Sequence, residues 1–143
     1  MKYTTEITID LPRARLIELF DSADNLAEWQ PGLQRVEHLS GEAGQAGATS
    51  RLTYDMGGRV VEMIETIIRR NLPDEFTATY EARGVWNEVV NRFYDEGDQT
   101  RWVAEAAFKF SGFMALMALF SPGAFRKQSQ EIMQNFKAFA ERA

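Results

Sequence analysis

Few side chains in this sequence can do chemistry, and their types narrow what that chemistry can be. Among 143 residues there is no cysteine and one histidine, His38. Thiolate catalysis, disulfides and cysteine-ligated metals are excluded, and so is any metal site built on several histidines. A Ser-His-Asp triad would have to use His38 as its base. His38 alternates with Gln34 and Val36, and no orienting partner is evident near it. Glu65 sits in the apolar run Val60 to Ile68. If its face is buried, its pKa rises unless a cation pairs with it, and it becomes a candidate general acid or base. Arg51 is a possible partner. Tyr80 and Tyr54 each join an apolar ring to a hydroxyl that can meet a ligand or a protein group. Glu65, Tyr80 and His38 are therefore the weak catalytic candidates. No EF-hand spacing of carboxylates appears, and neither a metal nor a cofactor is expected.

Composition sets the setting for these groups. The net charge is −5, and the only basic clusters are Arg69-Arg70 and Arg126-Lys127. Nucleic acid, which attracts basic faces, is not an expected partner. The first residues, Met1 to Glu6, contain no apolar core of a signal peptide. The longest apolar run is Phe113 to Phe120, far below the ~20 residues a spanning helix needs. A cytoplasmic protein, monomer or homodimer, is expected. Ten Phe, four Tyr and three Trp give an aromatic share of 12%, material for a β-rich core or an apolar pocket.

The elements that must position these residues follow from periodicity. Tyr3, Thr5, Ile7 and Ile9 alternate with polar residues, which reads as a half-buried strand. Asp10 or Leu11 can cap a helix with Pro12 in its first turn and Leu16, Ile17, Leu19 and Phe20 on one side. A second short helix is expected over Ser22 to Glu28, stopped by Pro31-Gly32. Six strands follow: 33–40, 49–56, 59–69, 75–82, 85–94 and 100–110. Gly57-Gly58 supplies the positive φ of a two-residue hairpin turn. Short turns between strands make an antiparallel meander. A short apolar helix covers Met114 to Phe120. Ser121-Pro122 then starts a long helix with Phe125, Ile132, Met133, Phe136 and Phe139 on one stripe. The whole chain, residues 1–143, reads as one α+β domain.

Seven strands cannot remain flat, and one long helix is available to cover them. The expectation is a helix-grip architecture: a curved seven-stranded antiparallel sheet around the C-terminal helix, in β-α-α-β6-α order, with more concave wall than the helix can fill. Alternation places Trp102, Ala104, Ala106 and Phe108 inward on the last strand. If Phe93 also points inward, it takes Asn87, Val89 and Asn91 with it. Two amides on an apolar wall can orient a ligand's carbonyl or hydroxyl, or they can satisfy neighbouring protein groups. Whether Glu62 or Glu65 faces inward stays open, as does the face carrying Met63. Trp29 reads as core.

The element order, Trp29-Gln30-Pro31-Gly32, the Gly44-to-Gly47 loop, Asn71-Leu72-Pro73, the Gly97-to-Arg101 turn and a closing Phe-rich helix together resemble the SRPBCC superfamily. That group includes START domains, Bet v 1-like plant proteins and polyketide cyclases. Within it, the chain is most similar to bacterial polyketide cyclase/dehydrase-like and lipid-transport-like proteins. The resemblance implies an apolar-ligand cavity between sheet and long helix, for a lipid, polyketide, quinone or phenolic molecule held by a carrier or sensor. Tyr54, Met63, Tyr80, Asn87, Val89, Asn91, Trp102, Ala104, Phe108, Met117, Phe120, Phe125, Met133 and Phe136 are the expected lining. A cyclase, aromatase or dehydratase using one pocket acid or base is the enzymatic alternative. An interaction module using segment 113–120 is a third. That segment can be a lid, a membrane-touching hook, a dimer surface or a plain packed helix. It has no basic face, so neither stable membrane binding nor insertion is expected.

Overall fold

The computed structural model describes all 143 residues. The chain runs β1 (Lys2–Ile9), α1 (Arg13–Phe20), a 3-10 turn (Ala23–Asn25), α2 (Leu26–Trp29), β2 (Leu33–Ser40), β3 (Thr49–Asp55), β4 (Val60–Asn71), β5 (Glu75–Ala82), β6 (Val85–Glu96), β7 (Gln99–Phe110), α3 (Phe113–Phe120) and α4 (Pro122–Arg142). The strands form one antiparallel sheet ordered β1-β7-β6-β5-β4-β3-β2. This is the helix-grip architecture, with the closing helix divided in two at Ser121.

Local chemistry accounts for the differences from the expected boundaries. Pro12 is itself the cap of α1, its ψ of 147° holding it extended so that the helix starts at Arg13. Asp10 does not cap; its backbone N–H donates to Glu141 Oε2 at 2.7 Å. The second short helix is broken into a 3-10 turn and one α turn, and Asn25 Nδ2 reaches back to the Leu19 carbonyl at 3.3 Å. Gly57 and Gly58 have φ of +72° and +88°, and the Met56 N–H donates to the Arg59 carbonyl across them at 2.8 Å, which is the expected two-residue turn. Gly32, at φ +80°, lies so close to the Asp55 carbonyl oxygen that a Cβ would overlap it. That close approach lets the Asp55 N–H donate to the Gly32 carbonyl at 2.8 Å and locks the start of β2 beside the end of β3.

α4 lies along the edge strand β1. Arg126, Gln130 and Lys137 donate to the carbonyls of Thr4, Glu6 and Thr8 at 3.2, 3.4 and 2.7 Å. Tyr3 binds the helix from the strand side, its hydroxyl meeting the Phe125 carbonyl at 3.0 Å and Ser129 Oγ at 2.7 Å. These bonds satisfy main-chain acceptors that the sheet edge would otherwise leave bare. The opposite edge, β2, has no such cover, and its pairing with β3 is interrupted by register shifts at Leu33/Arg35 and His38/Ser40.

The core is one-sided. Ile9, Leu16, Leu19, Trp29, Phe93, Trp102, Ala104, Met133, Phe136, Phe139 and Ala140 form one cluster beneath α1, α2 and the C-terminal part of α4. Phe136 is its hub: fully buried, 5.0 Å from the Trp29 ring, 5.5 Å from Trp102 and 6.0 Å from Phe20. The only fully buried positions of α4 are Met133, Phe136, Phe139 and Ala140, all in its second half. Phe136→Ala is expected to cost about 3–5 kcal/mol in urea unfolding, the range for emptying an aromatic core site. Phe120→Ala, on an exposed helix, is expected to change stability by less than about 0.5 kcal/mol.

Candidate functional site

Register decides what lies on the concave wall. Residues directly opposite in neighbouring antiparallel strands share a face. His38 is opposite Ser50, Ser50 opposite Glu65, Glu65 opposite Tyr80, Tyr80 opposite Asn87 and Asn87 opposite Phe108. One polar row therefore crosses five strands on the face that carries Phe93 and Trp102. The open question on β4 is resolved: Val61, Met63, Glu65 and Ile67 face inward, and Glu62 is exposed.

The expected lining separates into two regions. Asn91, Trp102, Ala104, Met133 and Phe136 are buried in the core. Asn91 is saturated by protein: its Nδ2 donates to the Phe76 carbonyl at 3.2 Å, and its Oδ1 accepts from Trp102 Nε1 at 2.9 Å. It is a structural amide, not a free orienting group. Tyr54, Met63, Glu65, Tyr80, Asn87, Val89, Phe108 and Phe125 are half-buried. They lie toward the other end of the sheet, where α4 keeps to β1 and leaves the inner faces of β3 to β6 without a covering helix. The exposed area, 8295 Å² for 16.3 kDa, exceeds the roughly 7,500 Å² of a compact monomer of this mass, as an open concavity requires. Met117 and Phe120 were expected in the lining, but α3 points them outward at 45% and 76% exposure. Side chains turned outward in this way do not enclose the groove.

The groove is apolar with a concentrated polar centre. Phe108, Phe110 and Phe125 stack at 5.0–5.5 Å between centroids and form one wall. At the centre, burial pushes the Glu65 carboxyl pKa up, and hydrogen bonding to Tyr80 pulls it back only in part. Burial likewise raises the Tyr80 hydroxyl well above its usual 10, reinforced by the Glu65 charge and by Tyr54. Tyr54 is pushed up to about 12 by burial and then by Glu65. Both tyrosines thus stay protonated as hydroxyl donors. No cation offsets Glu65, because Arg51, its anticipated partner, is on the outer face and pairs with Glu37 at 3.1 Å. Asn87 Oδ1 is buried with no hydrogen-bond partner. His38 shares the polar row but sits exposed on the edge strand, two strands from Glu65, about 10 Å at normal strand spacing.

A second concavity, about 460 Å³, lies between α1 and the turns at Leu72-Pro73 and Gly97. Its charges are already committed, Arg70 to Asp21 at 2.5 Å and Arg13 to Asp74 at 2.8 Å, so it presents few free polar groups to a ligand.

Comparison with known proteins agrees with this fold. The family model described as polyketide cyclase / dehydrase and lipid transport matches residues 1–141. The chain belongs to this family. No curated protein matches the sequence. Among solved structures, a conserved protein from Geobacillus kaustophilus superposes with a TM-score of 0.82 at 13% identity, covering 99% of this chain and 96% of that one. The Zhui aromatase/cyclase from Streptomyces sp. R1128 gives 0.80 at 14% identity over 99% and 94%. Ara h 8.0201 gives 0.78 at 14% identity over 100% and 99%. At such identities the likeness is one of fold. These structures share this sheet and helix, while the Glu65–Tyr80–Asn87 row is a property read from this chain.

Sequence reasoning found Glu65, Tyr80 and Asn87 singly but not their adjacency. Ser50 was missed. Only strand register could have revealed it, since a small serine on a mixed strand gives no signal of its own. The raised Glu65 pKa has a stability consequence. The folded protein holds a proton that the unfolded chain releases near pH 4.5, so stability declines as pH rises from there through the folded pKa. Glu65→Gln removes that decline. Its melting temperature is expected to exceed wild type at pH 7, with the difference vanishing below about pH 4.5. Thermal unfolding monitored across pH 4–8 checks this, and a lower melting temperature at pH 7 would contradict it.

Proposed function

We propose that the groove binds a small apolar or aromatic molecule carrying one hydroxyl or carboxyl group, and that the protein acts as its carrier or sensor. The supporting observation is Asn87 Oδ1, buried and unpartnered beside Tyr80 and Glu65 on a wall of aromatic and aliphatic side chains. A buried acceptor without a donor costs about 1–3 kcal/mol, a cost that a ligand hydroxyl removes on binding. Apolar contact with Phe108, Phe125, Met63 and Val89 supplies affinity at about 25 cal/mol per Å². The polar row supplies orientation, the usual division of labour in such sites.

A second reading draws on Glu65 alone. A carboxyl with a raised pKa, directly across from a tyrosine and reachable from the groove, is a candidate proton donor and acceptor. With an apolar chain folded against it, the same groove would serve a cyclase or dehydratase, with Glu65 as acid or base and Tyr80 as its hydrogen-bond partner. Binding does not require this step, and the row contains no second free carboxylate to form a pair.

Native mass spectrometry of purified protein is expected to show a co-purified apolar ligand. Titration with 1-naphthol and naphthalene separates orientation from burial. Asn87→Leu is expected to weaken 1-naphthol at least tenfold, about 1.4 kcal/mol, and to leave naphthalene within twofold. Unchanged 1-naphthol affinity would remove Asn87 from the site. The proton-transfer reading requires more: Glu65→Gln must abolish turnover of a bound polyketide-like chain while retaining its affinity.

A further inference from the structure

α3 is apolar on every side and none of its residues is buried. Phe113, Leu116, Leu119 and Phe120 are 50–76% exposed. An apolar patch of this kind on a domain surface marks an interaction site, and the charges around it indicate what the partner is. Nine of the 16 Lys and Arg residues are held in ion pairs. Of the seven that are not, six (Lys2, Arg59, Arg83, Lys109, Arg126 and Lys127) lie at the end of the sheet where α3 sits; no carboxylate holds them, though Arg126 also donates to the Thr4 carbonyl and Lys109 rests over the Trp86 ring. That end gathers the start of β1, the β3–β4 hairpin, the β5–β6 turn and the first turns of α4. The hairpin adds exposed Met56 and Val60 to the apolar surface. α3 is seated against this group: a Cβ on Gly84 would touch Met114, and the Ser111 N–H donates to the Gly84 carbonyl at 3.0 Å. Asp55, Glu62, Glu81 and Glu88 are the carboxylates of the same strand ends, and Asp55 is occupied by the Gly58 amide at 2.7 Å.

A chain of net charge −5 thus concentrates its unpaired cations around its most exposed apolar helix. We propose that this end docks on an anionic lipid bilayer, with α3 dipping into the headgroup boundary and the surrounding cations resting on lipid phosphates. Eight residues of helix are about 12 Å long, too short to cross the ~30 Å hydrocarbon layer, so the contact is peripheral and reversible. Apolar burial and attraction to anionic lipid act together in such contacts. The sequence of the segment showed no basic face because its cations come from four other elements. The docking stands whether or not the groove holds a ligand.

Co-sedimentation with vesicles tests it. Binding to phosphatidylcholine vesicles containing three parts in ten phosphatidylglycerol is expected to exceed binding to pure phosphatidylcholine at least tenfold, and to be lost in high salt. Leu119→Asp with Phe120→Asp, both at exposed positions, is expected to reduce anionic binding at least tenfold with no change in melting temperature. Lys109→Glu with Lys127→Glu is expected to do the same through charge. Asn87→Leu is expected to bind as wild type. Equal binding to both vesicle types, or binding to neither, would overturn the proposal. So would a loss in Asn87→Leu, which would place a lipid in the groove instead. A dimer seen by ultracentrifugation and dissolved by the Leu119 and Phe120 changes would show that a second copy covers α3, and would overturn it as well.

Discussion

The interaction that shapes everything else is the attachment of α4 to the edge of β1. Three donors spaced along one side of the helix, Arg126, Gln130 and Lys137, meet alternate carbonyls of the strand, and Tyr3 fastens the helix from beneath. A helix held there cannot also lie across the middle of a seven-stranded sheet. Its second half reaches the aromatic cluster under α1 and α2, and its first half leaves the concave faces of β3 to β6 bare. The groove is thus a remainder, the wall that one helix tied to one edge cannot cover.

This division separates the two interior amides of β6. Asn91 lies in the filled half and is satisfied by Trp102 and the Phe76 carbonyl, although Trp29 Nε1 in the same half has no partner. Asn87, on the same face of the same strand, lies in the unfilled half and keeps a free oxygen. Glu65 and Tyr80 are close enough to protein for burial to raise both pKa values, yet remain in reach of whatever enters the groove. The same boundary limits the open space: rings from Phe20, Trp29 and Phe136 fill the far end, so only the half nearer α3 is left uncovered.

Much of the fold was legible in the sequence because its signals are local. Alternation along Tyr3 to Ile9 and Trp102 to Phe110, the Gly57-Gly58 turn and the stripe from Phe125 to Phe139 each reflect a backbone period that neighbours reinforce. The site was legible only residue by residue. Which of Glu62 and Glu65 faces inward depends on register against β3 and β5, and both faces of β4 are apolar enough to permit either. Asn87 and Asn91 are equivalent by periodicity; what distinguishes them is how far a helix from the other end of the chain extends over them. Arg51 looked like a partner for Glu65 because both are charged and near in sequence, but the pleat puts them on opposite faces. Phe120 looked like lining because it is large and apolar, a property that says nothing about what stands in front of it.

An open sheet has two borders, and only one of them is sheathed. At β2 the main chain is free to accept another strand, yet the paired register slips twice within eight residues. Arg35 and Glu37 there are tied to each other, and Glu37 is also tied to Arg51. An incoming strand would have to match a kinked, charge-laden template instead of a straight one, which opposes growth of the sheet from copy to copy. The molecule can therefore hold a wide concave face open to solvent without that openness becoming a route to fibres.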